Sequence, residues 1–529
     1  MSKSTLGKQQ AIRAGLFPYL REGRLWPVSK RISRSPYEKQ LNNDCSSWLV
    51  RRLPRPKSWL VHLPRSNINS VQHRLKSKLL LVLWATLLAG KSWAISAVLF
   101  VDTAKPGRHF DLACYGLGQG GLSVSPMFDD HVEEIARLHP QTIRLFVQEY
   151  FNLYPDHGVY HWDTLDQNVQ AILATGARPL MCLCFKPRTL YPHIDQDVVN
   201  PTDYGEWETF ISSLVRHCNQ EKNYGISYWE VGNEVDIGES GGCPYRFQPG
   251  DYTNYYARTA RAIRRADPAA KVGGPALANY TSAIGDALIA LGGTGGAPLD
   301  FFSWHVYSSN PNASRASVTA IRQKLARFPV LAATETIIDE WNMNLLGNEP
   351  ATGFQAAFVL EATAGFFATG LSRAAYYHIR DHTVVPEDFA WMSPGGYKFM
   401  ADWWNVQIQN SGLFDKEGRR RPAYFSFQML GNLRGRQLPV AGTNATIHAF
   451  AVQQTNTTQV VFWNFGSDPA NVTLTFPSGQ PGRFRLDLIN AASNRLDTVR
   501  RGLAGELDAN PLLMRLPAYG AASAQLGEL

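Results

Sequence analysis

Between residues 110 and 433 the chain repeats one unit eight times: a short apolar run, then a segment with apolar residues at helical spacing. The runs are 110–117, 142–147, 179–185, 226–231, 271–275, 301–307, 335–340 and 374–379. The helical segments are 129–138, 165–175, 204–219, 251–266, 284–291, 318–328, 354–369 and 422–433. Pro140 and Pro268 stop two of them, and Gly176 and Gly370 close two more. Strands that alternate with helices pair in parallel, which leaves a closed barrel or a doubly wound open sheet. An open sheet that binds a dinucleotide would open its first helix on Gly-x-Gly-x-x-Gly, and neither that motif nor a phosphate loop is present. The expected fold is therefore α/β, a (β/α)8 TIM barrel over residues 98–435.

After residue 435 the texture changes. Short β runs at 446–452, 459–465, 472–476, 484–489 and 512–516 are divided by Asn, Gly and Pro clusters. Residues 436–529 are expected to form an antiparallel β-sandwich accessory domain, with the strand-like stretch 98–102 pairing with it.

The net charge of +8 belongs to the N-terminal leader. Residues 1–78 hold 17 Lys/Arg against 3 Asp/Glu, a net of +14, which leaves −6 for the rest. A mildly acidic body argues against nucleic acid as a partner. Residues 1–70 are basic and without clear periodicity, and read as a disordered stretch or the product of an upstream start. Residues 71–94 carry a basic flank, an apolar run at 79–90 and the small residues Ser92 and Ala94, the order of a secretory signal peptide. A span needs about 20 residues, so stable membrane insertion is expected only if the 79–90 run stays as an uncleaved anchor. The expected location is secreted or periplasmic. No Cys-x-x-Cys pair or His/Cys cluster occurs, so zinc is not expected. Cys182 and Cys184 share a strand face, as buried small apolar residues or as parts of a disulfide.

Two strand tips carry the chemistry. The fourth run ends in Trp229-Glu230-Val231-Gly232-Asn233-Glu234, and the seventh in Ile338-Asp339-Glu340-Trp341-Asn342. In an eight-stranded barrel these tips face each other across the mouth. Carboxyls about 5 Å apart suit glycoside cleavage with retention, one as nucleophile and one as acid, then base. Strand alternation turns Asp339 away from Glu340, toward a structural partner.

These two motifs resemble those of clan A retaining glycoside hydrolases. His305-x-Tyr307 on the sixth run and Arg144 on the second are similar to features of the same clan. Within the clan the chain resembles family 39 most, with its xylosidases, iduronidases and exopolysaccharide hydrolases. Family 51 arabinofuranosidases come next, since Asp-Glu-Trp-Asn reads like theirs. Family 39 members more often show Trp where this chain has Gly232. The resemblance implies Glu234 as acid/base and Glu340 as the nucleophile that forms a glycosyl-enzyme. It implies Asn233 on the hydroxyl beside the reacting carbon, Tyr307 holding Glu340, Arg144 keeping it ionised, and His305 lining the pocket. Trp341, Tyr377, His378 and Trp391 are the implied pocket walls.

Bland readings stand beside these. Arg144 could pair with a structural acid, His305 could be a satisfied core histidine, and Tyr377 and His378 could be plain barrel residues. The functional expectation is an exported, cofactor-independent retaining glycoside hydrolase acting on polysaccharide or oligosaccharide. The alternative is a carbohydrate-binding or polysaccharide-assembly protein that keeps the barrel for binding only. Rim segments 238–247, 308–314 and 382–396 would select the sugar.

Overall fold

The computed structural model describes residues 95–528 apart from 112, 113, 121, 122, 124, 194 and 345–352. The leader 1–70, the signal segment 71–94 and its apolar run lie outside the described residues. Strand β1 (Ile95–Val101) precedes the barrel. The barrel strands are β2 (Tyr115–Gln119), β3 (Thr142–Val147), β4 (Arg178–Leu183), β5 (Tyr228–Val231), β6 (Lys271–Leu277), β7 (Phe301–Tyr307), β8 (Glu335–Asn342) and β9 (Arg373–Tyr377). They pair in parallel, in sequence order, and β2 closes on β9. The fold is a TIM barrel.

Local signals explain the elements. The Asp203 side chain accepts from the Gly205 and Glu206 amides and caps the helix Tyr204–Arg216. Ser282 caps Ala283–Gly293 in the same way. Proline opens both Pro249–Ala266 and Pro422–Gly431, where a missing N–H costs no hydrogen bond. The first strand begins at Tyr115, later than the apolar run suggested. Phe110 instead stacks on Phe367 and meets Phe450, 4.7 and 5.6 Å between centroids, at the junction with the C-terminal region. The helix expected at 318–328 begins earlier, at Asn312, and takes in the end of the 308–314 segment.

The C-terminal strands are β10 (Arg436–Gln437), β11 (Val440–Ala441), β12 (Ile447–Gln454), β13 (Thr457–Asn464), β14 (Ala470–Thr475), β15 (Arg483–Asn490), β16 (Arg495–Leu503), β17 (Leu512–Leu516) and β18 (Ala521–Gly527). They form a four-stranded sheet in the order β11-β1-β14-β17 and a six-stranded one in the order β10-β12-β13-β18-β15-β16. A core including Leu99, Val460, Phe462, Val472, Phe484 and Leu512 fills the space between them. The sandwich is antiparallel with one exception: β1 runs parallel to β14. The stretch before the barrel therefore belongs to the sandwich sheet.

Barrel and sandwich meet at the helix Gly353–Thr369. Buried Trp463 of β13 donates from Nε1 to Glu361 Oε2 at 3.0 Å. Among the described residues no helix is long and apolar enough to cross a membrane.

Candidate active site

The barrel floor is built around one guanidinium. Arg144 of β3 is buried, with Phe146 4.4 Å beneath its charge. Nε donates to Glu230 Oε2 at 2.6 Å, and Nη1 to Glu340 Oε1 at 2.8 Å. Nη2 donates to Asn233 Oδ1 at 2.8 Å and pairs with Asp339 Oδ2 at 3.0 Å. One planar cation thus ties together β5, β8 and the loop after β5. Because a guanidinium only donates, Asn233 must present its oxygen to it, and its NH2 is turned away from Arg144.

Asp339 corrects the sequence expectation. Trp304 pairs with Ile338 in the β7/β8 ladder, but His305 pairs with Glu340, so Asp339 is an extra residue. A β-bulge of this kind breaks the alternation. Both Asp339 and Glu340 then face inward and both reach Arg144. Trp341 resumes the outward direction and packs on Phe366 and Tyr376, at 5.0 and 5.1 Å, between strand and helices. It is no pocket wall.

Glu234 lies just past the tip of β5 on an unusual backbone. Gly232 has φ +94°, where a Cβ would meet the Val235 side chain, so a larger residue such as Trp does not fit this turn. Glu234 itself has φ +44°, a conformation that costs about 1–3 kcal/mol and is held by the amide's hydrogen bond to Ala276 O at 2.7 Å. The rim segment Gly238–Gly241 folds back over it. A Cβ at Gly241 would collide with Glu234 Oε2.

His305 stands between the two strand-tip carboxyls. Its Nδ1 is 3.1 Å from Glu234 Oε1 and 3.5 Å from Glu340 Oε2, and Nε2 is 3.3 Å from Asp339 Oδ2. The Tyr307 hydroxyl donates to Glu340 Oε2. Oxygen atoms of Glu234 and Glu340 lie within 4.8 Å of each other.

Burial and charge sort these groups. Burial pushes Glu234 up to about 6, helped by the charge of Glu340 and opposed by His305. Burial likewise pushes Glu230 up to about 8, against the pull of Arg144. Burial also acts on Asp339, but Arg144 and His305 outweigh it and hold its carboxyl below the usual range. For His305 burial favours the neutral ring, yet Glu340 and Asp339 raise it well above an ordinary histidine. Glu234, His305 and Glu340 could by position ligate a cation. The same three groups, linked through His305, can also hold and pass protons.

The other expected walls separate. Tyr377 is close enough to Glu340 and Glu234 for both charges to raise its hydroxyl, after burial. His378 is buried, turned to Asp381 Oδ1 at 2.8 Å, and its ring lies 5.5 Å from Trp404 and 5.0 Å, edge-on, from Tyr377, so it stands behind Tyr377. Trp391 belongs to a rim cluster with Phe389, Met392, Met400 and Trp404. Four residues to which the sequence assigned no place in the site complete it: Glu230, Asp339, Gly241 and Glu239. Glu239 is buried and accepts from the Ser393 amide at 2.7 Å and from its hydroxyl, which joins the loop after β5 to the helix Pro394–Ala401. The run of glycines at 238–242 was the available signal for a tight crossing.

The profile of glycosyl hydrolases family 39 matches residues 141–466. A beta-xylosidase of Caldicellulosiruptor saccharolyticus is 25% identical over 316 residues, 55% of this chain and 60% of that protein. The chain thus matches about 60% of that relative's length. A monomeric beta-xylosidase from Caulobacter crescentus CB15 superposes with TM-score 0.66 at 18% identity, covering 82% of this chain and 100% of the other. The GH51 alpha-L-arabinofuranosidase of Thermotoga petrophila RKU-1 superposes at 0.58 with 12% identity, covering 81% and 100%. At these identities the solved structures speak for the fold.

Proposed function

The chain belongs to glycosyl hydrolases family 39, and from that premise we propose that it is a retaining glycosidase working by double displacement on xylose-containing oligosaccharides. The observation that carries the reading is the carboxyl pair, whose oxygens lie within 4.8 Å. Retaining enzymes hold the two carboxyls about 5–5.5 Å apart, whereas inverting enzymes leave about 6.5–9.5 Å for a water.

In the first step Glu340 attacks the anomeric carbon as its C–O bond breaks. Glu234 gives its proton to the leaving oxygen. Burial supports that role, because it keeps the Glu234 proton to about pH 6. Arg144 and Tyr307 each hold one oxygen of Glu340, which fixes its attack direction. In the second step Glu234, now the base, takes a proton from water, and the water displaces Glu340 from the sugar. The NH2 of Asn233, turned away from Arg144, suits a hydroxyl next to the reacting carbon. Protonated His305 binds both carboxyls throughout and limits their repulsion.

Xylose is favoured by the name of the curated relative, a beta-xylosidase. A panel of aryl xyloside, arabinofuranoside, glucoside and uronide tests it, with the xyloside expected to turn over fastest. Azide should restore activity to Glu340→Ala and yield a glycosyl azide of inverted configuration. Full activity in that variant would sink the reading. The basic-apolar order of residues 71–94 favours an exported enzyme, and N-terminal sequencing of exported protein tests this. A mature start well before residue 90 would overturn it.

A further inference from the structure

A cavity of about 330 Å³ opens on the same face of the barrel, and neither Glu234 nor Glu340 lines it. Three segments form it. The loop after β3 gives Glu149 and Asn152, the loop after β4 gives Arg188, and the long loop after β9 gives Glu387, Asp388 and Trp391. Its volume is at the low end of small-molecule sites, about 300–1,000 Å³, which is room for one sugar unit. The segments are braced against each other. Arg188 Nη2 donates to Ala390 O at 3.0 Å, Thr189 Oγ1 to Tyr154 O at 3.2 Å, and the Lys186 amide to Glu149 Oε2 at 2.9 Å. The site is therefore built before any ligand arrives.

The cavity adjoins the catalytic mouth. Tyr377 senses the charges of Glu340 and Glu234. Tyr150, next to Glu149 in the chain, senses both Tyr377 and Asp388, and packs on Phe389 at 5.9 Å between centroids. Tyr150 and Tyr377 both pack against the rim cluster that holds Phe389 and the cavity-lining Trp391.

The chemistry of the lining selects a ligand. Three carboxyls, Glu149, Glu387 and Asp388, face one guanidinium, so an anionic uronide is disfavoured. Burial pushes Glu149 up to about 7, which makes it a hydroxyl-directed donor or acceptor near neutrality. Trp391 and Tyr154 add ring surface. We propose that this cavity is a remote subsite that holds one neutral sugar unit of a longer oligosaccharide whose reacting unit sits at Glu234 and Glu340. The proposal rests on the glycosidase reading for its substrate class.

Two variants test it. Thr189→Phe fills the cavity, and Asp388→Ala removes an exposed acid from its rim; neither residue touches the carboxyl pair. Expected is a fall of about tenfold in the ratio of kcat/KM for xylotetraose over xylobiose, with kcat/KM for aryl xyloside unchanged. An unchanged ratio in both variants overturns the subsite. A second arm needs no turnover: xylotetraose is titrated calorimetrically into Glu340→Gln with and without Thr189→Phe. The added change should weaken binding about tenfold. Equal affinity, or no binding in either protein, overturns the subsite. Absence of hydrolysis by the unmodified enzyme would instead count against the glycosidase reading, and the titration would still decide the cavity.

Discussion

Asp339 and Glu340 are neighbours in the chain, and both turn inward to reach the same guanidinium, at 3.0 and 2.8 Å. In a regular strand one of them would face the helices. The bulge between Ile338 and Glu340 gives Arg144 two carboxylates from one strand and gives His305 a second anion, 3.3 Å from Nε2. Asp339→Ala leaves both cations with one partner fewer in a dry site. Breaking a buried pair costs about 3–5 kcal/mol. Urea unfolding should show that loss, and Asp339→Asn, which keeps the shape and part of the hydrogen bonding, should lose less.

The catalytic pH profile should follow Glu234. Its folded value of about 6 means kcat/KM declines as pH rises through 6 and the acid form is lost. Glu234→Ala should abolish that limb when assayed on an activated aryl glycoside that needs no proton. A limb that survives in the variant would assign it to another group.

Glu230 makes a stability prediction of definite sign. Its folded value, about 8, lies above the ordinary 4.5, so the folded state keeps a proton that the unfolded state releases. Stability must then fall as pH rises from about 4.5 to about 8 and level off above it. Glu230→Gln keeps the neutral shape. It should be close to the parent in denaturant midpoint at pH 5 and more stable than the parent at pH 8.5.

The link between Glu239 and Ser393 holds the loop that covers Glu234. Glu239→Ala should loosen Gly241 from the acid/base and admit water. The expected result is about a tenfold loss of kcat for glycosides with poor leaving groups and little loss for activated ones, where proton donation matters less. Equal loss on both would mean that Glu239 serves only the fold.

Trp463→Phe tests the junction of barrel and sandwich. It removes the donor to buried Glu361 Oε2 and keeps most of the ring. A cost of about 1 kcal/mol is expected for the lost hydrogen bond, since Glu361 keeps Arg315 at 3.2 Å on its other oxygen. Activity per folded molecule should not change, since the junction lies away from the barrel mouth.

How much was legible varies with the kind of signal. The eight apolar runs became eight barrel strands, and both glutamates stand at strand tips as their spacing implied, because a parallel strand buried on both faces leaves a continuous apolar mark. In the sandwich β18 escaped notice although it lies between β13 and β15, since its run Ala521-Ala522-Ser523-Ala524 carries little β signal. β16 was hidden for the opposite reason: it is an edge strand written in Arg, Asp and Thr, as exposed edges often are. His378 follows β9 directly, yet its polar partner is Asp381, and the long loop after it carries Trp391 into the rim cluster.

By itself the sequence determined the barrel, the sandwich and the positions of Glu234 and Glu340, because periodicity and strand-tip location are properties of the chain in order. Only the tertiary structure decided which neighbours face inward, where the second anion for Arg144 and His305 comes from, and what covers the acid/base. Those depend on one extra residue in a ladder, on a left-handed backbone at Gly232 and Glu234, and on loops meeting across the mouth. Each is a relation between segments distant in sequence, or a local departure from regular geometry, and a period read along one chain records neither.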